Sequence, residues 1–161
     1  MNIYEKLSAI QQELKAPKGQ RNSFGNYNFR SCEDILEAVK PICAKYSCVV
    51  ILDDTLVELG GDVYVQAVAQ LFDCELESMV ICAEAYAKHP DKQAGMSDSQ
   101  ITGAASSYAR KYALNGLFCI DDTKDADTDE CCKHLFRKCH LLFFPVRFFF
   151  IERHHFPDKV D

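Results

Sequence analysis

The chain has 161 residues, a net charge of -6, 48% hydrophobic and 26% charged residues, and no tryptophan. That length fits one ordinary domain, with a core of roughly 100 to 130 residues and an appendage. No run reaches the roughly 18 apolar residues needed to cross a bilayer, and MNIYEKLSAIQQELK is charged from Glu5 onward instead of carrying an apolar signal core; a soluble, non-secreted, cytoplasmic protein with no membrane partner is expected.

Ile3, Leu7, Ile10 and Leu14 are spaced four, three and four apart, which makes residues 3–14 an amphipathic helix ended by Ala16-Pro17-Lys18-Gly19. NSFGNYNFRS (22–31) reads as a loop or short extended piece. Ser31 followed by Asp34 is a capping pattern, so a second helix is expected from Cys32 to Tyr46, kinked or restarted at Pro41. Three strands follow: CVVILDD (48–54), DVYVQAVAQLFD (62–73), with Val63, Val65, Ala67 and Ala69 on one face, and SMVICAEAYAK (78–88). The short polar turns ELGG and DCELE favour an antiparallel meander. Beyond the loop HPDKQAGMS, residues 98–114 form a helix with Asp98 as cap or first-turn acid. At 100° per residue, Ile101, Ala104, Ala105, Tyr108, Ala109, Tyr112 and Ala113 share an arc that packs inward, while Gln100, Gly103, Ser106, Ser107, Arg110 and Lys111 share a polar one. The order predicts an α+β fold: N-terminal helices, then a three-stranded antiparallel meander covered on one face by a long helix.

Nine cysteines, at 32, 43, 48, 74, 82, 119, 131, 132 and 139, include no CxxC pair; reduced, mostly buried thiols are expected. Charge is uneven along the chain. No acid lies between Glu13 and Glu33, where Lys15, Lys18, Arg21 and Arg30 occur, and none lies between Asp98 and Asp121, where Arg110 and Lys111 occur. Asp121 to Glu130 then holds six acids against one lysine. Local basic windows can hold a polyanion despite overall acidity, because charges beyond about 8–10 Å are largely screened.

The blocks IYEKLSAIQQEL…PKGQRNSFGNYNFRSCEDILEAVKP and GMSDSQITGAASSYARKYALNGLFCIDDTKDADT resemble the ERF family of phage and prophage single-strand annealing proteins over roughly residues 3 to 130. The resemblance implies an ATP-independent recombination protein that binds single-stranded DNA, forms rings or helical homo-oligomers, and pairs complementary strands without covalent chemistry. It also implies a β-β-β-α core like that of eukaryotic annealing ring proteins, a bacterial host cell as location, and a host or phage single-strand-binding protein as a further partner. The expected organisation is an annealing core at 1–120, an acidic linker at 121–130 and an atypical, poorly ordered tail at 131–161. That tail holds seven of eleven phenylalanines and four of five histidines; it departs from the family pattern as a truncated or frame-altered gene end would.

Holding a single strand takes cations for phosphates, small donors near the backbone and aromatic faces for bases. Lys15, Lys18, Arg21, Tyr27 and Arg30 supply these in the first window, alongside Asn22, Asn26, Asn28, Phe24 and Phe29. Arg21 and Arg30 are the strongest candidates, since guanidinium both forks onto phosphate and stacks; Tyr27 and Phe29 could instead be core anchors. In the second window Ser106, Ser107, Arg110 and Lys111 are candidates. Arg110 and Lys111 either meet phosphate or pair with a neighbouring subunit, and Tyr108 and Tyr112 are expected to pack inward, the alternative being that they are stacking platforms.

Enzyme readings are weaker. No G-x-x-x-x-G-K-[ST] partners LFCIDD, and an EF-hand phased on Asp125, Asp127 and Asp129 fails at Glu130 and Phe136. Cys131, Cys132, His134, Cys139 and His140 fit no common zinc spacing. No catalytic residue, cofactor or metal is assigned. Two rival readings are a metal-dependent nuclease or repair enzyme using the acidic run, and an inactive prophage remnant.

Overall fold

Asn2 and Glu5 begin the first element. In the computed structural model, which describes residues 1–23, 26–76 and 79–120, each accepts the other's backbone N–H at 2.9 Å. This capping box opens helix α1 (Ile3–Glu13), whose Ile3, Leu7 and Ile10 are buried as the spacing predicts. The segment expected as a loop or short extended piece instead pairs with itself. Strands β1 (Gln20–Asn22) and β2 (Tyr27–Phe29) form a small antiparallel hairpin with Arg21 opposite Asn28. Asn26 turns the corner at φ 51, in the left-handed region that asparagine tolerates better than most residues.

Helix α2 (Cys32–Lys45) starts at the expected Ser31/Asp34 capping box. It runs through Pro41 as one element instead of restarting there. Pro41 and Glu37, the residue whose carbonyl loses its donor, are both exposed, where water can supply the missing hydrogen bond.

The meander is antiparallel in the order β3 (Cys48–Leu59), β4 (Asp62–Asp73), β5 (Val80–Lys88). β3 runs on to Leu59 where the sequence pattern suggested an end at Asp54, because Gly60 and Gly61 carry the whole turn. Both have positive φ, 62° and 85°, as a two-residue hairpin turn requires. The register places Val65, Ala67, Ala69 and Leu71 of β4 between Leu56, Asp54, Leu52 and Val50 of β3 and Ala87, Ala85, Ala83 and Ile81 of β5. This is the helix-covered face. Val63, grouped with it by alternation, is 38% exposed at the strand's start. Helix α3 (Asp98–Phe118) lies on β4 and β5, and α2 packs against β3 and α3. Ser97 caps α3, in a box with Gln100, and Asp98 is its first-turn acid.

Of the described cysteines, Cys32, Cys43, Cys48 and Cys82 are buried and Cys74 and Cys119 exposed, all unbridged. Burial pushes the Cys43 thiol up to about 12. Cys131, Cys132 and Cys139 lie outside the described residues, as do the acidic linker and the tail.

A polar tie fixes α1 to the sheet. Lys6, 4% exposed, donates from Nζ to Asp73 Oδ1 at 2.8 Å and to Glu75 Oε2 at 2.7 Å. Its hydrogen bonds to the two carboxylates raise its pKa. Burial works to raise the Asp73 carboxyl, but the Lys6 ammonium and the Glu75 amide outweigh it and hold it below its ordinary value. A depressed folded-state value contributes stability that is present above the unfolded pKa of about 4 and is lost as pH falls through the folded one. Lys6→Met strands a buried carboxylate. The variant should therefore melt well below wild type near neutral pH, with the gap narrowing in acid as Asp73 takes up a proton; denaturation curves at both pH values check this.

Candidate nucleic-acid interface

Helix α3 carries the second basic window, and its packing decides which side chains reach solvent. Ile101, Ala105, Ala109 and Ala113 are buried against the sheet. Tyr108 and Tyr112, expected on this inner arc, are turned aside: Tyr108 is 51% exposed and Tyr112 half-buried. The two rings lie 6.3 Å apart at 30°, and Lys111 places its ammonium 4.8 Å from the Tyr108 centroid and 5.0 Å from that of Tyr112. Both distances are within cation–π range. A helical wheel centred on the apolar average misses this, because it weights tyrosine as core; the alanines at every fourth position are the better marker of the buried seam.

Arg110 and Ser106 point the other way, toward β3. Arg110 Nε donates to both Asp54 oxygens, at 3.0 and 2.8 Å, and the Ser106 hydroxyl donates to the same carboxylate. Asp54 was assigned no role from the sequence, although it is an acid on the helix-facing side of β3. The Arg110 partner in the structure thus belongs to the same chain. The side chain stays 41% exposed beyond this contact. Ser107 is exposed, one turn before Lys111 and one after Gly103.

In the first window, Arg21 is exposed and donates from Nη2 to Asn26 Oδ1 at 2.7 Å, and Asn22 donates to the Tyr27 hydroxyl at 3.1 Å. Tyr27 is 47% exposed and meets the half-buried Phe29 edge-on at 6.3 Å, so it is no core anchor. Gln20 ties the hairpin to the start of α2 through Asp34, at 2.7 Å, and Ser31. Lys15 is exposed and Lys18 half-buried; Lys15 lines a groove with Gln20, Asp34 and Glu37. Arg30, a leading candidate from the sequence, lies inside. It is 6% exposed and donates from Nη1 to the Ala16 carbonyl, closing the chain where it leaves α1. Phe24 lies outside the described residues.

The buried Cys32 thiol, raised chiefly by burial, also feels Glu33, Arg110, Asp54 and Lys111. Helix α2 packs against α3. Among the described residues no cluster of His, Cys, Asp and Glu could hold a metal, and no helix is long and apolar enough to cross a membrane.

An α+β module with a basic, tyrosine-bearing helix and a polar hairpin is what the described residues build. Residues 3–134 match the ERF superfamily, and the chain belongs to it. It is 50% identical over 128 residues to the essential recombination function protein of Salmonella phage P22, an alignment covering 80% of this chain and 60% of that relative. The chain thus spans well under the full length of the relative it matches. No solved structure matches it.

Arg30→Ala should lower stability by about 1–3 kcal/mol, the cost of taking the donor from a buried carbonyl. Arg21→Ala, on the exposed hairpin, should leave the melting curve nearly unchanged. Urea denaturation of the two variants side by side reads the difference.

Proposed function

We propose that this protein binds single-stranded DNA and anneals complementary strands without ATP, in phage-type homologous recombination. The observation that carries the reading is the pair of acid-free basic windows, one folded as an exposed hairpin and the other as the open flank of α3, in a chain of the ERF superfamily. The name of the phage P22 relative, essential recombination function protein, supports the recombination role.

The interface is assigned to Lys15, Lys18, Arg21, Tyr27, Ser107, Arg110 and Lys111. Cations hold phosphates, the Ser107 hydroxyl donates to the backbone, and Tyr27 offers an aromatic face. Arg110 meets phosphate with the part of its guanidinium that Asp54 leaves exposed. Arg30 and Ser106 are assigned to the internal ties described above. No bond is made or broken; the protein raises the local concentration of strands and fixes their backbones while pairing proceeds. Self-association into a ring or helical array belongs to the same reading. It is supported by the helix-free face of the sheet, where Val49 and Ile51 are 45% and 46% exposed. A single-strand-binding protein is a further proposed partner, and the cytoplasm of a bacterial host the proposed location.

A fluorescent oligonucleotide should bind without nucleotide or divalent metal, and log affinity should fall linearly with log salt. Arg21→Ala and Lys111→Gln should each reduce that slope by about 0.7, the value per phosphate contact on a single strand. Absence of binding at low salt, or slopes unchanged in both variants, would overturn the assignment. Degradation of the probe on adding magnesium or manganese would favour a nuclease instead.

A further inference from the structure

The geometry points to Tyr108, Lys111 and Tyr112 as a nucleobase-stacking site on the open flank of α3. The inference rests on the single-strand binding proposed above and names the subsite that meets the bases. Tyr108 is 51% exposed in the middle of a 21-residue helix. Its environment, not its exposure alone, points to the contact it would make. Lys111 sits over both rings at 4.8 and 5.0 Å, so the cluster is cationic as well as aromatic. No acid occurs in the helix after Asp98. Beside the tyrosine row of Ala104, Tyr108 and Tyr112 runs a parallel row of Gly103, Ser107 and Lys111, each four residues apart. A Cβ on Gly103 would meet nothing within 4 Å, so this row is low and open. A sugar-phosphate chain can approach along it, with its phosphates toward Lys111 and its bases toward the rings.

Stacking suits annealing for a geometric reason. A base laid on a phenol ring is held by its π-face, and its Watson–Crick edge stays clear for the complementary strand. Because every base has such a face, the contact tolerates any sequence. A second copy of the chain is the competing occupant; the test separates the two.

The experiment compares wild type, Tyr108→Leu and Tyr108→Phe for binding to a labelled oligothymidylate and to an abasic deoxyribose-phosphate chain of equal charge. Tyr108 is a surface residue, so both variants should fold, and their melting curves confirm it. Tyr108→Leu should bind oligothymidylate about 5- to 150-fold more weakly, the range for loss of one stacked base. Tyr108→Phe, which keeps the ring, should match wild type, and on the abasic chain all three should be alike. Wild-type affinity of Tyr108→Leu for oligothymidylate would overturn the stacking site while leaving single-strand binding intact. So would an equal loss on the abasic chain, or a changed sedimentation mass of Tyr108→Leu without DNA, which would assign the cluster to a subunit contact. Failure of wild type itself to bind oligothymidylate would defeat the broader reading, and the stacking site with it.

Discussion

Alanine lying on alanine sets the spacing between α3 and the sheet. Ala105, Ala109 and Ala113 form the buried seam of the helix, and beneath it the strands offer Ala67, Ala69, Ala83 and Ala87. These methyl groups share one core with Val65, Leu71 and Ile81 of the strands, and an interior filled at such density has little spare room on the seam for a larger ring. Tyr108 and Tyr112 therefore turn out sideways, and Ser106 and Arg110 lean over the opposite shoulder to reach β3. The exposed chemistry of the helix follows from the smallness of its buried residues. Toward the C-terminal end Leu114, Leu117 and Phe118 add bulk to the core, and α1 and α2 also pack on the helix. Gln11 of α1 marks the junction by donating to the Leu117 carbonyl at 2.9 Å.

Polar ties then fix the elements that alanine cannot. Lys6 on α1 reaches the end of β4, Glu13 near the end of α1 accepts from Lys45 and Tyr46 at the end of α2, and Gln20 and Arg30 hold the hairpin between the two helices. These contacts are unequal in weight. The Glu13–Lys45 pair is solvent-exposed and contributes modestly, whereas the Lys6–Asp73 pair is buried, so losing either partner leaves the other stranded. The hairpin depends on such ties because two strands of three residues bury almost nothing by themselves.

Much of this was legible in the sequence. The spacing of Ile3, Leu7, Ile10 and Leu14, the Ser31/Asp34 box and the alternation through β4 each follow from local rules, and the α+β order follows from them. What was not legible depends on contacts distant along the chain. Arg30 looked like a surface cation because nothing local shows that its partner is the Ala16 carbonyl. Arg110 looked available because Asp54 lies on another element. Tyr108 looked like core because periodicity shows which direction a residue faces and not how much space waits there. The β1–β2 hairpin was missed because three-residue strands are too short for alternation to register. The clue to it was Asn26, a residue suited to the left-handed turn.

The same ties reduce the charge that an acidic chain leaves for the proposed polyanion. Asp73 and Glu75 take up the charge of Lys6, Asp54 offsets that of Arg110, and Arg30 is folded inward. The basic windows therefore offer fewer phosphate contacts than their residue counts suggest, and those few act only within a screening length of about 8 Å at physiological salt. Electrostatics alone would then give loose binding that collapses as salt rises. Aromatic contact is much less sensitive to salt, so a strand held partly by rings stays bound where phosphate contacts weaken. A helix whose tyrosines stand on its flank would supply that second kind of contact beside Lys111, the lysine assigned to phosphate in the proposed reading.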